Sequence, residues 1–113
     1  MCAAITCAMA WPVASGALRA YRDTPIAHFN EQDMKLFRQT LDDVLENGAD
    51  GDTRKWSNPK TGAEGDVTAN STFTRGAAPC RTVTVRNAAR GLTSSGNYSL
   101  CKQANGKWKT SGS

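Results

Sequence analysis

Cys80-Arg81-Thr82-Val83-Thr84-Val85-Arg86 alternates apolar and polar side chains with a period of two. Val83 and Val85 share one face with Arg81, while Thr82, Thr84 and Arg86 share the other, which is the pattern of a strand with one dry side and one wetter side. The same habit extends in both directions. Upstream, Gly65 to Thr74 alternates, with Val67 and Phe73 among polar residues, and Arg75-Gly76-Ala77-Ala78-Pro79 makes a reversal. Further back, Lys55-Trp56-Ser57 runs into Asn58-Pro59-Lys60-Thr61-Gly62, a turn preset by proline and completed by glycine. Downstream, Gly96-Asn97-Tyr98-Ser99-Leu100-Cys101-Lys102 returns, Asn105-Gly106 signals a two-residue hairpin, and Lys107-Trp108-Lys109 closes the series. Short β-branched and aromatic runs joined by turn residues predict an antiparallel meander of four to five strands.

Ahead of the strands the period changes. Met34, Phe37, Leu41, Val44 and Leu45 recur at spacings of three and four, which makes one apolar face of a helix. Asn30 is a good N-cap, Asp33 stands where a carboxylate answers the exposed amides, and Phe29 with Met34 has the spacing of a hydrophobic staple. Asn47-Gly48 stops the run, so the helix is expected from about Glu31 to about Asn47. The fold class is therefore α+β: one N-terminal amphipathic helix packed on a four- to five-stranded antiparallel β-meander. Residues 30–110 form that domain, and residues 18–29, with Pro25 and no periodicity, read as an extended lead-in.

Residues 1–17 carry no charge and end in Ser15-Gly16-Ala17, a small-residue pattern that suits a signal peptidase, so a signal-like leader is expected there. Cleavage of that leader predicts a mature form without it; a retained N-terminal arm is the alternative. Cys7 offers a lipoprotein reading, although Ala4-Ile5-Thr6 lacks the small residue expected directly before an acylated cysteine. The late cysteines are 21 positions apart, one opening a predicted strand and one closing the next. A hairpin through Asn87 to Ser95 would bring them into bridging range, which predicts a Cys80–Cys101 disulfide and an oxidising compartment.

The chain has 113 residues, 39% hydrophobic and 21% charged, enough for one modest core, and a net charge of +4. The charge is divided. Residues 1–53 hold four basic and eight acidic side chains, and residues 54–113 hold ten basic and two acidic, Glu64 and Asp66. A half with a net of +8 attracts anionic glycan, anionic lipid or nucleic acid through one long-range field, or serves only as a solvated face. Arg81, Arg86, Lys102, Lys107, Trp108 and Lys109 are the candidate binding residues, with Trp108 between two cations as a stacking platform or else a core residue. Of these partners, nucleic acid is the least favoured.

Enzyme chemistry finds little to work with. His28 is the only histidine, precedes the helix, and has no nucleophile or acid at a recognisable spacing, so it reads as a surface or capping residue. Glu64 and Asp66 share a strand face but flank a turn. No G-x-S-x-G, zinc-ligand spacing or phosphate loop occurs, so no catalytic residue, metal or cofactor is expected.

Several motifs together resemble a known family. Trp56-Ser57-Asn58-Pro59-Lys60-Thr61-Gly62, then Gly65-Asp66-Val67-Thr68, Cys80-Arg81, and Cys101-Lys102-Gln103-Ala104-Asn105-Gly106-Lys107-Trp108 are similar in order and spacing to the surface-antigen domain of the 17 kDa rickettsial common-antigen family of bacterial outer-membrane proteins. Trp56, Asn58, Pro59 and Gly62 carry the first motif. The resemblance covers about Pro25 to Trp108. It implies an exported, non-enzymatic structural or interaction module of the Gram-negative cell envelope, at the outer membrane or in the periplasm, with envelope components as partners. Members often bear a glycine-zipper segment and a lipobox ahead of this domain, and neither pattern occurs here.

Overall fold

Asn30 starts the helix as its chemistry dictates: its side-chain oxygen accepts from the Asp33 amide at 2.8 Å, and the Asp33 carboxylate accepts from the Asn30 amide at 3.0 Å. This reciprocal box satisfies two of the amides a helix start leaves orphaned. The computed structural model describes residues 24–111; the leader-like segment and Cys7 lie outside them. Helix α1 spans Glu31–Asn47, as its periodicity predicts. Gly48 ends it with φ −79°, not in the left-handed region; a Cβ at Gly48 would lie 2.8 Å from the Val44 carbonyl oxygen, so glycine is there for close approach. Before the helix, Pro25–His28 forms a short 3-10 helix where extended chain was expected, because Pro25 presets the first turn.

Five strands follow: β1 Thr53–Asn58, β2 Ala63–Arg75, β3 Ala78–Ala89, β4 Leu92–Lys102 and β5 Trp108–Thr110. They pair antiparallel in chain order as one open sheet. The strands run longer than their apolar cores suggest. The β3–β4 reversal is only Arg90-Gly91, both with positive φ (54° and 76°), which matches a twisted two-residue hairpin and replaces the broader turn expected between Asn87 and Ser95. Arginine at such a position gives no turn signal. Conversely, Asn105-Gly106 sits inside a five-residue connection closed by the Gln103 amide donating to the Lys107 carbonyl at 2.8 Å, not in a two-residue hairpin.

A bulge at Asn70 shifts the β2 register between Ala69 and Ser71. Before it, Val67 and Ala69 face the helix beside Val85 and Val83. After it, Thr72 takes the inner position beside Arg81 and Phe73 moves to the outer face beside Cys80. The simple alternation that would group Phe73 with Val67 is thereby broken. Arg75 lies over the Phe73 ring at 5.9 Å.

The core lies between α1 and the inner face. Val44 and Leu45 meet Val67, Ala69, Val83, Val85 and Leu100, with Phe37, Leu41 and Trp108 at the margin. A second cluster joins Trp56, Ala63 and Ala89 to Phe29, Leu36 and Phe37. Phe29 meets Trp56 edge-on at 5.2 Å. The Cys80–Cys101 disulfide is formed between directly opposed residues, with Cα atoms 4.0 Å apart. Since the bridge closes a loop of 21 residues, reduction is expected to lower unfolding free energy by about 3 kcal/mol, read by urea denaturation with and without reductant. Coincident curves would contradict this.

Candidate functional site

The residues singled out by motif spacing converge at the two ends of α1. At its N-terminus, the Asp33 carboxylate, 1% exposed, accepts from the Asn58 side-chain amide at 2.7 Å and the Thr61 hydroxyl at 2.8 Å, besides the Asn30 amide. Asn58 also shapes its own turn: its side-chain oxygen takes the Lys60 amide at 3.1 Å and its carbonyl takes the Gly62 amide at 2.8 Å. Gly62 has φ +77°, a conformation that glycine enters without a Cβ penalty. The Asn-Pro-Lys-Thr-Gly run is thus a clasp that holds the β1–β2 turn on the helix start. Burial pushes the Asp33 carboxyl up, but the three donors outweigh it and hold it below the usual aspartate value.

At the other end, Arg81 reaches from β3 under the helix. Its guanidinium donates to the Val44 and Leu45 carbonyls at 2.9 and 3.1 Å and to Asp50 at 3.0 Å. The cation gives the Leu45 carbonyl a donor that the helix end leaves it without, adds a second donor to the Val44 carbonyl, which also takes the Gly48 amide at 3.0 Å, and complements the negative end of the helix dipole. Thr72, placed inward by the bulge, donates to the same Asp50 oxygen at 2.8 Å. The Thr72 hydroxyl and the Arg81 guanidinium hold the Asp50 carboxyl below its ordinary value. Glu46 makes a third link: it accepts the Trp108 indole N–H at 2.7 Å and pairs with Lys102 at 3.0 Å, and these two donors hold its carboxyl low.

The expected binding platform is therefore rearranged. Arg81 is 7% exposed and belongs to the interior, a correction to its expected place on a basic surface, because it shares the inner face with Val83 and Val85. Trp108 also faces inward, on the Lys102 side of the sheet, whereas Lys109 lies opposite Cys101 on the outer face, so the indole and its flanking cations do not share one surface. Arg86 approaches Asp66 at 3.4 Å. Arg54 pairs with Asp43 at 2.9 Å and with Asp52 at 3.6 Å. Three cations of the basic second half, Arg54, Arg81 and Lys102, meet acids of the first half across the helix–sheet junction. Lys107 and Lys109 are exposed and enter no ion pair among the described residues.

The outer sheet face is rich in hydroxyls. Thr53 and Thr68 meet at 2.7 Å, Ser71 and Thr82 at 2.6 Å, and Thr84 donates to Asn97 at 2.7 Å. A groove of about 430 Å³ crosses β1 to β4, lined on this side by Lys55, Ser57, Glu64, Asp66, Arg86 and Thr93. Its two acids and two cations give it no dominant sign. His28 is exposed at the end of the 3-10 helix. Among the described residues no group of three His, Cys, Asp or Glu is placed to hold a metal, and no helix is long and apolar enough to cross a membrane. Asp50, Thr72 and the reach of Asp33 to Asn58 were not visible in the sequence. The threonine of the Asn-Pro-Lys-Thr-Gly run was the only hint.

A single capped helix clasped at both ends onto a disulfide-locked antiparallel meander defines a small α+β domain. The model of the 17 kDa outer membrane surface antigen family matches residues 43–109, and the chain belongs to that family. Two relatives, each called 17 kDa surface antigen, come from Rickettsia prowazekii (strain Madrid E) and Rickettsia japonica (strain ATCC VR-1363 / YH). The first is 32% identical over 81 residues, covering 71% of this chain and 51% of the relative; the second is 31% identical over 84 residues, covering 74% and 53%. The chain thus spans about half the length of these relatives. No solved structure matches it.

Two expectations follow from the clasp. Since the folded Asp33 carboxyl is more acidic than the unfolded one, its stabilisation is present above the unfolded pKa and is lost as pH falls through the lower folded value. Asp33→Asn should cost about 2 kcal/mol at neutral pH and flatten the acid limb of the stability profile; an unchanged limb in thermal melts at pH 2 to 7, taken in steps of about one unit, would contradict the assignment. Gly65, opposite Trp56, has no room for a side chain: a Cβ there would lie 2.5 Å from Asn87 Oδ1 and 2.6 Å from Trp56 Nε1. Gly65→Ala should cost about 1 to 3 kcal/mol in urea denaturation, and a neutral result would show that the Trp56 side of the core yields.

Proposed function

We propose that this chain is a non-enzymatic scaffold and interaction module of the bacterial cell envelope, exported and presented at the outer membrane or cell surface. The observation that carries the reading is the fate of the family motif residues. Trp56, Asn58, Thr61, Gly62, Arg81, Cys80, Cys101, Lys102 and Trp108 are all engaged in packing, turn geometry, clasping or covalent linkage. What the motifs hold in common is a shape, and the outward surface is what that shape presents. Membership of a surface-antigen family and the disulfide both support export. Fractionation of cells expressing the full chain, followed by protease treatment of intact cells, tests it. Recovery in the envelope with cleavage on intact cells is expected, and recovery in the cytoplasm with free Cys80 and Cys101 would overturn it.

A second reading, contact with an anionic glycan or lipid headgroup, is favoured by one observation: Lys107 and Lys109, at one end of the sheet, are exposed and enter no ion pair among the described residues. Attraction of this kind weakens with salt, since the field shortens to about 10 Å at 0.1 M. Retention on immobilised anionic glycan or anionic liposomes should fall with salt and fall further in the Lys107→Glu/Lys109→Glu variant. Equal retention of both proteins at every salt concentration would remove this reading and leave the scaffold.

A further inference from the structure

The two long edges of the sheet are unlike. The β1 edge carries Arg54 and Lys55 and runs into Asn58-Pro59, charges and a proline of the kind that discourage a further strand. The β4 edge is covered by β5 only at Leu100, Cys101 and Lys102, and Ser99 is engaged through its carbonyl, which accepts from the Ser111 amide at 2.8 Å. From Leu92 to Tyr98 no strand of the described residues pairs on the outer side, and this stretch, Leu92-Thr93-Ser94-Ser95-Gly96-Asn97-Tyr98, contains neither charge nor proline. Among the described residues it is a seven-residue strand edge that no further strand protects, although the 3-10 helix Pro25–His28 approaches β3 and β4.

The direction of its backbone groups follows from the ladder. Opposed Cα atoms 4.0 Å apart mark Cys80–Cys101 as a non-hydrogen-bonded pair of the β3–β4 ladder. Residues of the same parity on β4, namely Thr93, Ser95, Asn97 and Ser99, therefore turn their N–H and C=O groups away from β3. The Ser99 carbonyl, engaged from the far side by Ser111, agrees. Thr93, Ser95 and Asn97 thus present three donors and three acceptors along one open edge.

We propose that this edge is a self-association surface, on which β4 of a second copy of the chain pairs antiparallel about a twofold axis at Ser95 and joins two five-stranded sheets into one. The register follows from the pattern. With Ser95 opposite its own symmetry mate, Thr93 of one copy faces Asn97 of the other, and all six free backbone groups are matched. The same register sets Leu92 against Tyr98 on the inner face, where Tyr98 is 49% exposed in the single chain. A cross-strand pair of an aliphatic and an aromatic residue then forms twice. An uncharged strand meets its own copy without repulsion, and pairing about Ser95 leaves β5 in place, because it lies along the other end of β4. The contact is small, so it forms with concentration.

Ser95→Pro separates this interface from the fold. Its missing N–H is one that points outward, so the β3–β4 ladder keeps its bonds while the edge loses its central donor. Analytical ultracentrifugation of the full oxidised chain across a concentration series is expected to show the mass rising from 12.1 kDa towards twice that value, with Ser95→Pro remaining at the lower mass and melting at the same temperature. Should the proline variant unfold, Ser95→Lys gives the same reading by setting like charges directly opposite on an exposed outer position. Ser95→Cys, oxidised and mapped by peptide analysis, should yield a linkage between the two copies at position 95. A wild-type chain that stays at the lower mass throughout would overturn the proposal. So would a folded Ser95→Pro or Ser95→Lys variant that associates like the wild type, since the copies would then be meeting elsewhere.

Discussion

A lone helix on an open sheet has an apolar stripe that decides which side goes down, but a stripe can slide. Here sliding is opposed by two polar contacts at fixed points, the Asp33 carboxylate at the helix start and the Arg81 guanidinium at its end. Both are buried, and each ties the helix to the sheet: Asp33, on the helix, takes its bonds from the β1–β2 turn, and Arg81, on β3, gives its bonds to carbonyls of the helix end. A buried charge stripped of its partners is far costlier than a displaced leucine, so these contacts specify one helix position among many that would bury similar apolar area. The rest of the structure follows that placement: Val44 and Leu45 come down on the valines of β2 and β3, and Glu46 comes within reach of Lys102 and Trp108.

This arrangement explains the charge division along the chain. Acids at the end of α1 and in the following loop meet cations of β1, β3 and β4: Asp43 with Arg54, Asp50 with Arg81, Glu46 with Lys102. The exposed pairs contribute little singly, but they complete the seam beside the buried clasp. Three cations of the basic half, Arg54, Arg81 and Lys102, thus complement the acids of the helix and the loop after it. The surface left over is a hydroxyl-lined sheet face, a pair of lysines at one end and an open strand edge, each a contact surface for something outside the fold.

Much of the architecture was legible because it rests on periodicity and caps. The helix bounds follow from Asn30, Asp33 and Asn47, and the meander from alternating β-branched runs and from the two cysteines. What was illegible depends on register. Nothing in Ala69-Asn70-Ser71 announces a bulge, yet that single residue decides that Phe73 faces out and Thr72 faces Arg81. Arg90 in a left-handed turn carries no sequence signal either. The role of Arg81 was within reach, since alternation already set it beside Val83 and Val85; an arginine on a dry strand face must find carbonyls or a carboxylate, and the helix end supplies both. Its basic character alone pointed outward, which is the wrong side.

The most direct test of the clasp is native-state amide hydrogen exchange on the oxidised chain and on Arg81→Met, which keeps the apolar stem and removes the guanidinium. If Arg81 fixes the helix end to the sheet, the amides of the last two turns of α1 lose protection by at least an order of magnitude, about 1.4 kcal/mol or more in local opening, relative to those in the centre of β3. Protection in α1 that falls no more than in β3, or does not fall at all, would contradict the account and leave the helix end held by its apolar stripe without the guanidinium.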